Sequence, residues 1–184
     1  MMVNLYKNIP SGEKIPKEIN IVVEIPKGEK NKYEYQEEKG YFILDRVLYS
    51  SLFFPFNYGF IPQTLSEDGD PLDVVLLSTF SLFPGCIVKG RPIGILVMED
   101  EKGKDDKIIA LPQEKVDPRF LEIKDVKDLN SHIKKEIESF FSDYKKLEKG
   151  KFVKIKGWKG KKEAEKLIKE SARRFKMKYE KFSQ

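Results

Sequence analysis

Asp68-Gly69-Asp70-Pro71-Leu72-Asp73-Val74-Val75-Leu76-Leu77 sets three carboxylates, a glycine and a proline directly against an apolar run. Gly69 permits backbone angles closed to other residues, while Pro71 fixes its own φ and pushes Asp70 toward an extended conformation. A rigid turn presenting Asp68 and Asp70 is therefore expected, followed by a buried strand over 74–77 with Asp73 at its mouth. Three carboxylates this close repel one another unless something cationic lies among them. A loop that offers only oxygen suits a hard divalent ion such as Mg²⁺, although a solvated acidic turn has the same composition. An EF-hand is excluded, because Asp73 stands where the glycine of that loop belongs and Thr79 where its bidentate glutamate belongs.

Upstream, Ile19, Ile21, Val23 and Ile25 alternate with Asn20, Val22 and Glu24, so a strand over 19–25 is predicted, closed by Pro26 and Gly28. Lys32 to Gln36 and Tyr41 to Arg46 read as a hairpin across the turn Glu37-Glu38-Lys39-Gly40, with Lys32 and Glu34 on one face. The stretch from Phe53 to Pro62 reads as too broken by proline for a central strand and too aromatic for an exposed loop, so it is expected to line a pocket or pack against the sheet. Downstream, Cys86 to Asp100 carries two glycines and a proline at intervals suited to a strongly bent strand. A second acidic turn with Asp105 and Asp106 follows, then a strand from Lys107 to Leu111.

From about Asn130 the apolar period changes to 3.6. Ile133, Ile137, Phe140, Phe141, Tyr144 and Leu147 form one stripe that Gly150 stops, with Tyr144 and Lys145 near its end. A short strand over 152–155 and a second helix with Ala164, Leu167, Ile168, Ala172 and Phe175 inward complete the chain. Short strands with Gly and Pro bends, followed by two helices, predict an α+β fold: a small closed barrel with helices packed outside it.

At 184 residues and 40% hydrophobic content, one domain spanning 1–184 is expected. There is no apolar run long enough to cross a membrane and no signal-peptide core at the N-terminus, and the lone Cys86 cannot form an internal disulfide, so a cytoplasmic location is expected. One histidine, His132, and one cysteine exclude a zinc constellation and a Ser-His or Cys-His dyad of obvious form. The formal charge of +5 is a property of the tail: residues 149–184 hold 14 Lys and Arg against 4 Asp and Glu, which leaves 21 against 26 for the rest. Charged residues at 35%, with lysine far outnumbering arginine, also fit a protein from a hot environment.

One barrel face could collect Asp68, Asp70, Asp73, Asp100 and Asp105 together with Lys32, Arg46, Lys107 and Lys145. Phosphoryl transfer from a polyanion explains both signs of charge: carboxylates hold metal ions, while Lys and Arg take the remaining phosphate charge. The run from Asp68 to Val74 resembles the signature of family I soluble inorganic pyrophosphatases, Asp-x-Asp-Pro-hydrophobic-Asp-hydrophobic. Glu24-Ile25-Pro26, Lys32-Tyr33-Glu34, Asp45-Arg46, Asn57-Tyr58-Gly59, Asp100-Glu101 through Lys107, and Tyr144 to Glu148 match further family motifs in order, and the resemblance is to the prokaryotic type, archaeal or thermophilic.

The resemblance implies Mg-dependent hydrolysis of inorganic diphosphate to two phosphates by a metal-bridging water, with Mn²⁺ a possible substitute. It implies that Asp68, Asp70, Asp73, Asp100 and Asp105 are metal ligands, that Asp70 is the general base, and that Glu24 and Glu34 hold outer-shell water or a further metal. Lys32, Arg46, Lys107, Tyr144 and Lys145 would bind phosphate, and Tyr58 would tune the water network. It further implies a five-stranded OB-type closed barrel with two flanking helices, and a homohexamer. Two features depart from many relatives: Phe54 replaces a tyrosine, and Ser139 and Asp143 stand where some carry histidines used between subunits.

Two rival functions remain. An OB-type barrel with a basic tail could bind single-stranded nucleic acid, but five aspartates on its face would repel phosphate. A nucleotide pyrophosphohydrolase shares the metal chemistry but needs a base pocket that no segment identifies. No nucleic acid and no membrane are expected among the partners.

Overall fold

The computed structural model describes residues 3–179. The alternation of isoleucine and valine produces strand β1 (Ile19–Ile25) with Ile19, Ile21, Val23 and Ile25 buried as predicted. Val22, on the opposite face, is buried as well in a cluster with Tyr6, Tyr35 and Phe60, so both faces of β1 are covered. Strands β2 (Asn31–Gln36) and β3 (Tyr41–Val47) form the predicted antiparallel hairpin, in which Lys32 stands opposite Arg46. This hairpin is a separate two-stranded sheet.

The stretch from Phe53 to Pro62 packs in the core as expected but departs from expectation in containing a central strand. Its second half is strand β4 (Asn57–Ile61), buried throughout and paired with β1 on one side and with β5 (Leu72–Leu76) on the other. Pro55 and Pro62 fall just outside β4, where their missing N–H groups cost no ladder hydrogen bond. Asn57 is fully buried: its Oδ1 accepts from Lys27 N (3.0 Å) and Leu82 N (2.9 Å), and its Nδ2 donates to Ser78 Oγ (2.7 Å) and the Phe80 carbonyl (3.2 Å). Gly59 lies so close to β1 that a Cβ there would stand 1.9 Å from the Val22 carbonyl oxygen.

The long strand β6 (Ile87–Asp100) pairs antiparallel with β1 through its first residues and with β9 (Val153–Gly160) through its last. Its pairing with β8 (Lys107–Pro112) slips between Pro92 and Gly94, the bend that its glycines and proline predict. The two-residue β7 (Gly103–Lys104) folds back on the end of β6. With β5 and β8 parallel, the pairings run β1, β4, β5, β8, β6 and back to β1. The strand predicted over 152–155 is longer, because β9 continues through Trp158 along β6.

Helix α1 (Ser131–Asp143) starts at Asn130, whose side chain accepts from His132 N, and buries Ile137, Phe140 and Phe141 against Phe54, Phe56 and Tyr58. It ends sooner than the apolar stripe suggests. The chain turns after Asp143, so Tyr144 stays buried while Leu147 is 66% exposed. His132 is on the surface. Helix α2 (Lys161–Tyr179) buries Ala164, Ile168, Ala172 and Phe175, with Leu167 partly covered. The last residues of the basic tail, 180–184, lie outside the described ones. A mixed sheet with two helices makes this an α+β fold, and among the described residues no helix is long and apolar enough to cross a membrane.

The packing of Gly59 carries a direct test. Gly59→Ala must part β1 from β4 to relieve backbone contact, so the variant should lose about 1–3 kcal/mol in urea unfolding, with the m-value unchanged.

Candidate active site

The ends of β1, β2, β3, β4, β5, β6 and β8, with the turn after α1, enclose a cavity of about 530 Å³. Every residue singled out from sequence lines it: Glu24, Lys32, Glu34, Arg46, Tyr58, Asp68, Asp70, Asp73, Asp100, Asp105, Lys107, Tyr144 and Lys145. The turn before β5 has the expected form, with Gly69 at φ +99°, the Asp68 carboxylate accepting from Asp70 N (3.1 Å), and Ser66 N donating to the Asp70 carbonyl (2.7 Å). Asp73 is the second residue of β5, one position further into the strand than a mouth position.

Anions and cations are interleaved. Lys107, only 3% exposed, donates to Asp73 Oδ2 and to Asp105 Oδ1, both at 2.5 Å, and lies 5.8 Å from the Tyr58 ring centroid. Lys145 donates to Asp100 Oδ2 at 2.7 Å. Lys32 pairs with Glu34 and, at 3.3 Å, with Asp45, while Arg46 pairs with Asp45 and, through Nε at 3.0 Å, with Glu148. Glu24 accepts from Tyr35 N at 2.8 Å.

The electrostatics follow from this crowding. Burial pushes the Glu24 carboxyl up to about 8, against the Tyr35 N–H that favours its anion. Asp70 is raised by burial and by the neighbouring Asp68 and Asp73. Asp105 is raised too, since burial outweighs Lys107. Asp100 goes the other way: burial works to raise it, but Lys145 and the Lys102 N–H hold it below the usual carboxylate range. For Lys107, burial would lower the ammonium, yet the carboxylates of Asp73 and Asp105 hold it charged. Tyr58 is kept as the neutral phenol, chiefly by burial.

Among the described residues no three carboxylates are gathered tightly enough to enclose an ion, because lysines stand between them. The donor set nevertheless fits a hard divalent cation. It is oxygen only, and Glu101 Oε2 is buried without a hydrogen-bond partner, 3.7 Å from Lys145 Nζ. Glu101, quoted in a motif but given no role, also lines the cavity, as do Lys102, Lys104 and Lys151, which the sequence does not single out. Lys102 and Lys104 sit in a turn that reads as ordinary hairpin polarity, and the ion pair of Lys151 with Glu101 spans two distant segments. Asp106 serves the scaffold, accepting from Met98 N at 3.3 Å.

Carboxylates able to hold metal and cations able to hold phosphate, in one cavity of a mixed sheet, define a metal-dependent hydrolase of phosphate anhydrides. A family model described as inorganic pyrophosphatase matches residues 21–176. The inorganic pyrophosphatase of Saccharolobus solfataricus is 53% identical over 163 residues, 89% of this chain and 95% of that protein. The crystal structure of inorganic pyrophosphatase from Thermus thermophilus superposes with a TM-score of 0.91 at 46% identity, over 95% of this chain and 99% of that one. The chain belongs to the inorganic pyrophosphatase family.

Lys107 compensates two carboxylates at once, so its removal is informative. In chelator at pH 7, Lys107→Met should destabilise the protein by about 3–5 kcal/mol, because Asp73 and Asp105 are left without their buried partner. The loss should shrink on adding a divalent ion that takes over the carboxylates; urea unfolding with and without the ion measures it.

Proposed function

We propose that this cavity hydrolyses inorganic diphosphate to two phosphates, with Mg²⁺ as the working metal, Mn²⁺ able to replace it, and Asp70 taking the proton of the attacking water. The observation that carries this reading is the interleaving of acids and buried cations in one cavity, with no Ser, Thr, Cys or His among the described residues of the lining. Asp68, Asp70, Asp73, Asp100 and Asp105 would hold the metal, which would supply polarisation of phosphoryl oxygens and acidification of water. Lys32, Arg46, Lys107, Tyr144 and Lys145 bind and orient the diphosphate, drawing on cations that pair with carboxylates in the protein alone. Arg46 presents a planar fork to a phosphoryl group, while lysines act as compact charges. Glu24 and Glu34 hold outer-shell water or a further metal. The Tyr58 phenol, held neutral beside Lys107, donates into the water network.

The ring of strand pairings supports the finer fold reading, a five-stranded OB-type closed barrel, and residues 1–184 act as one catalytic unit in the cytoplasm. Exposed Leu44 and Val47 on β3, and Phe80 and Phe83 beyond β5, support self-association into a hexamer. A nucleic-acid-binding role is disfavoured by the aspartates, which would repel a phosphate backbone across the same face.

Phosphate release from diphosphate, ATP and inorganic triphosphate, with and without Mg²⁺, tests the reading. Rapid Mg²⁺-dependent release from diphosphate with little from ATP is expected; equal rates on ATP would favour a nucleotide pyrophosphohydrolase. Asp70→Asn keeps the shape but loses the proton acceptor, and should lower kcat by about 10²–10⁴-fold with unfolding unchanged. For the hexamer, light scattering should give about six times the 21.5 kDa chain mass at micromolar concentration, and a monomer mass would overturn it.

A further inference from the structure

Arg46 lies on a hairpin that shares no strand pairing with the main sheet, so its position at the cavity depends on side-chain contacts. Its Nε donates to Glu148 Oε1 at 3.0 Å, across 102 residues of sequence. The Glu148 side chain is 10% exposed. Its backbone is pinned in a turn, with Glu148 N donating to the Lys145 carbonyl (2.8 Å) and Lys151 N donating to the Glu148 carbonyl (3.1 Å). That turn also carries Tyr144 and Lys145, both in the cavity lining, and Lys145 is itself tied to Asp100. The carboxylate is therefore the fixed member of the pair and the guanidinium the member being placed. Asp45 takes Nη1, which leaves Nη2 without a protein partner among the described residues.

We infer that Glu148 is a positioning residue for Arg46, fixing the guanidinium so that Nη2 faces a phosphoryl oxygen and latching the β2–β3 hairpin to the turn after α1. This rests on the reading of Arg46 as a phosphate contact. Asp45, next to Arg46 on the same strand, could not do the same, because it moves with the hairpin. Since Arg46 would hold the diphosphate in both ground and transition states, loss of its placement acts on binding.

Steady-state kinetics with diphosphate and Mg²⁺ on wild type, Arg46→Ala, Glu148→Ala, Glu148→Gln, Glu148→Asp and the double alanine variant test it. Glu148→Ala should raise KM about tenfold with kcat within about twofold, the pattern of lost uniform binding. Glu148→Gln, which still accepts from Nε, should recover most of this, and Glu148→Asp, one methylene short, should not. In the Arg46→Ala background, Glu148→Ala should add less than about twofold, because the two residues act through one contact. An unchanged KM in Glu148→Ala beside a raised KM in Arg46→Ala would overturn the positioning role alone. An undiminished Glu148→Ala effect in the Arg46→Ala background would do the same. A silent Arg46→Ala would overturn both the phosphate contact and the inference that rests on it.

Discussion

The buried ammonium of Lys107, held between Asp73 and Asp105, is the interaction on which the rest of the site depends. Strands β5 and β8 run parallel with Val74 beside Ile108, so Asp73 and Lys107 arrive together at the same ends of adjacent strands. Asp105 lies two residues before Lys107 and reaches the same nitrogen. A lone charge so deeply buried would be costly, and so would two uncompensated carboxylates. Together they allow like charges to be assembled inside a folded protein before any ligand enters.

This arrangement is exchangeable. Asp73 and Asp105 share Lys107 and Asp100 has Lys145 beside it, and both lysines are proposed phosphate contacts. A divalent ion and a diphosphate arriving together can take over both sets of partners, anion for anion and cation for cation. Neither ligand alone achieves that exchange without leaving a buried charge unmatched, which gives the site a reason to favour the metal–diphosphate pair over free phosphate or free metal.

The site was more legible in the sequence than the frame that positions it. Charged residues beside strand ends and glycines advertise themselves, and each candidate chosen on that basis lines the cavity. Strand β4 was hidden because Pro55 and Pro62 read as breakers until their places outside the strand are known. Leu147 keeps the helical period but lies beyond the helix, since the chain turns there to bring Tyr144 and Lys145 inward. The pairing of Glu148 with Arg46 had no local signal, because the contact joins segments 102 residues apart. Within Asn57-Tyr58-Gly59 only Tyr58 meets the cavity: Asn57 ties together the surrounding loops and Gly59 admits β1. Phe54, whose ring centroid lies 4.7 Å from that of Phe140, is a core residue.

The central claim is that water, with Asp70 as its base, attacks the diphosphate directly and no protein group takes up phosphate. Acid quenching of a single turnover with phosphorus-32-labelled diphosphate and Mg²⁺, sampled from the earliest times, tests it most directly. Labelled phosphate should appear with no label retained on precipitated protein at any time. Transient label on the protein, formed and lost within the turnover, would mean that an aspartate of this cavity is the nucleophile, and would contradict the account.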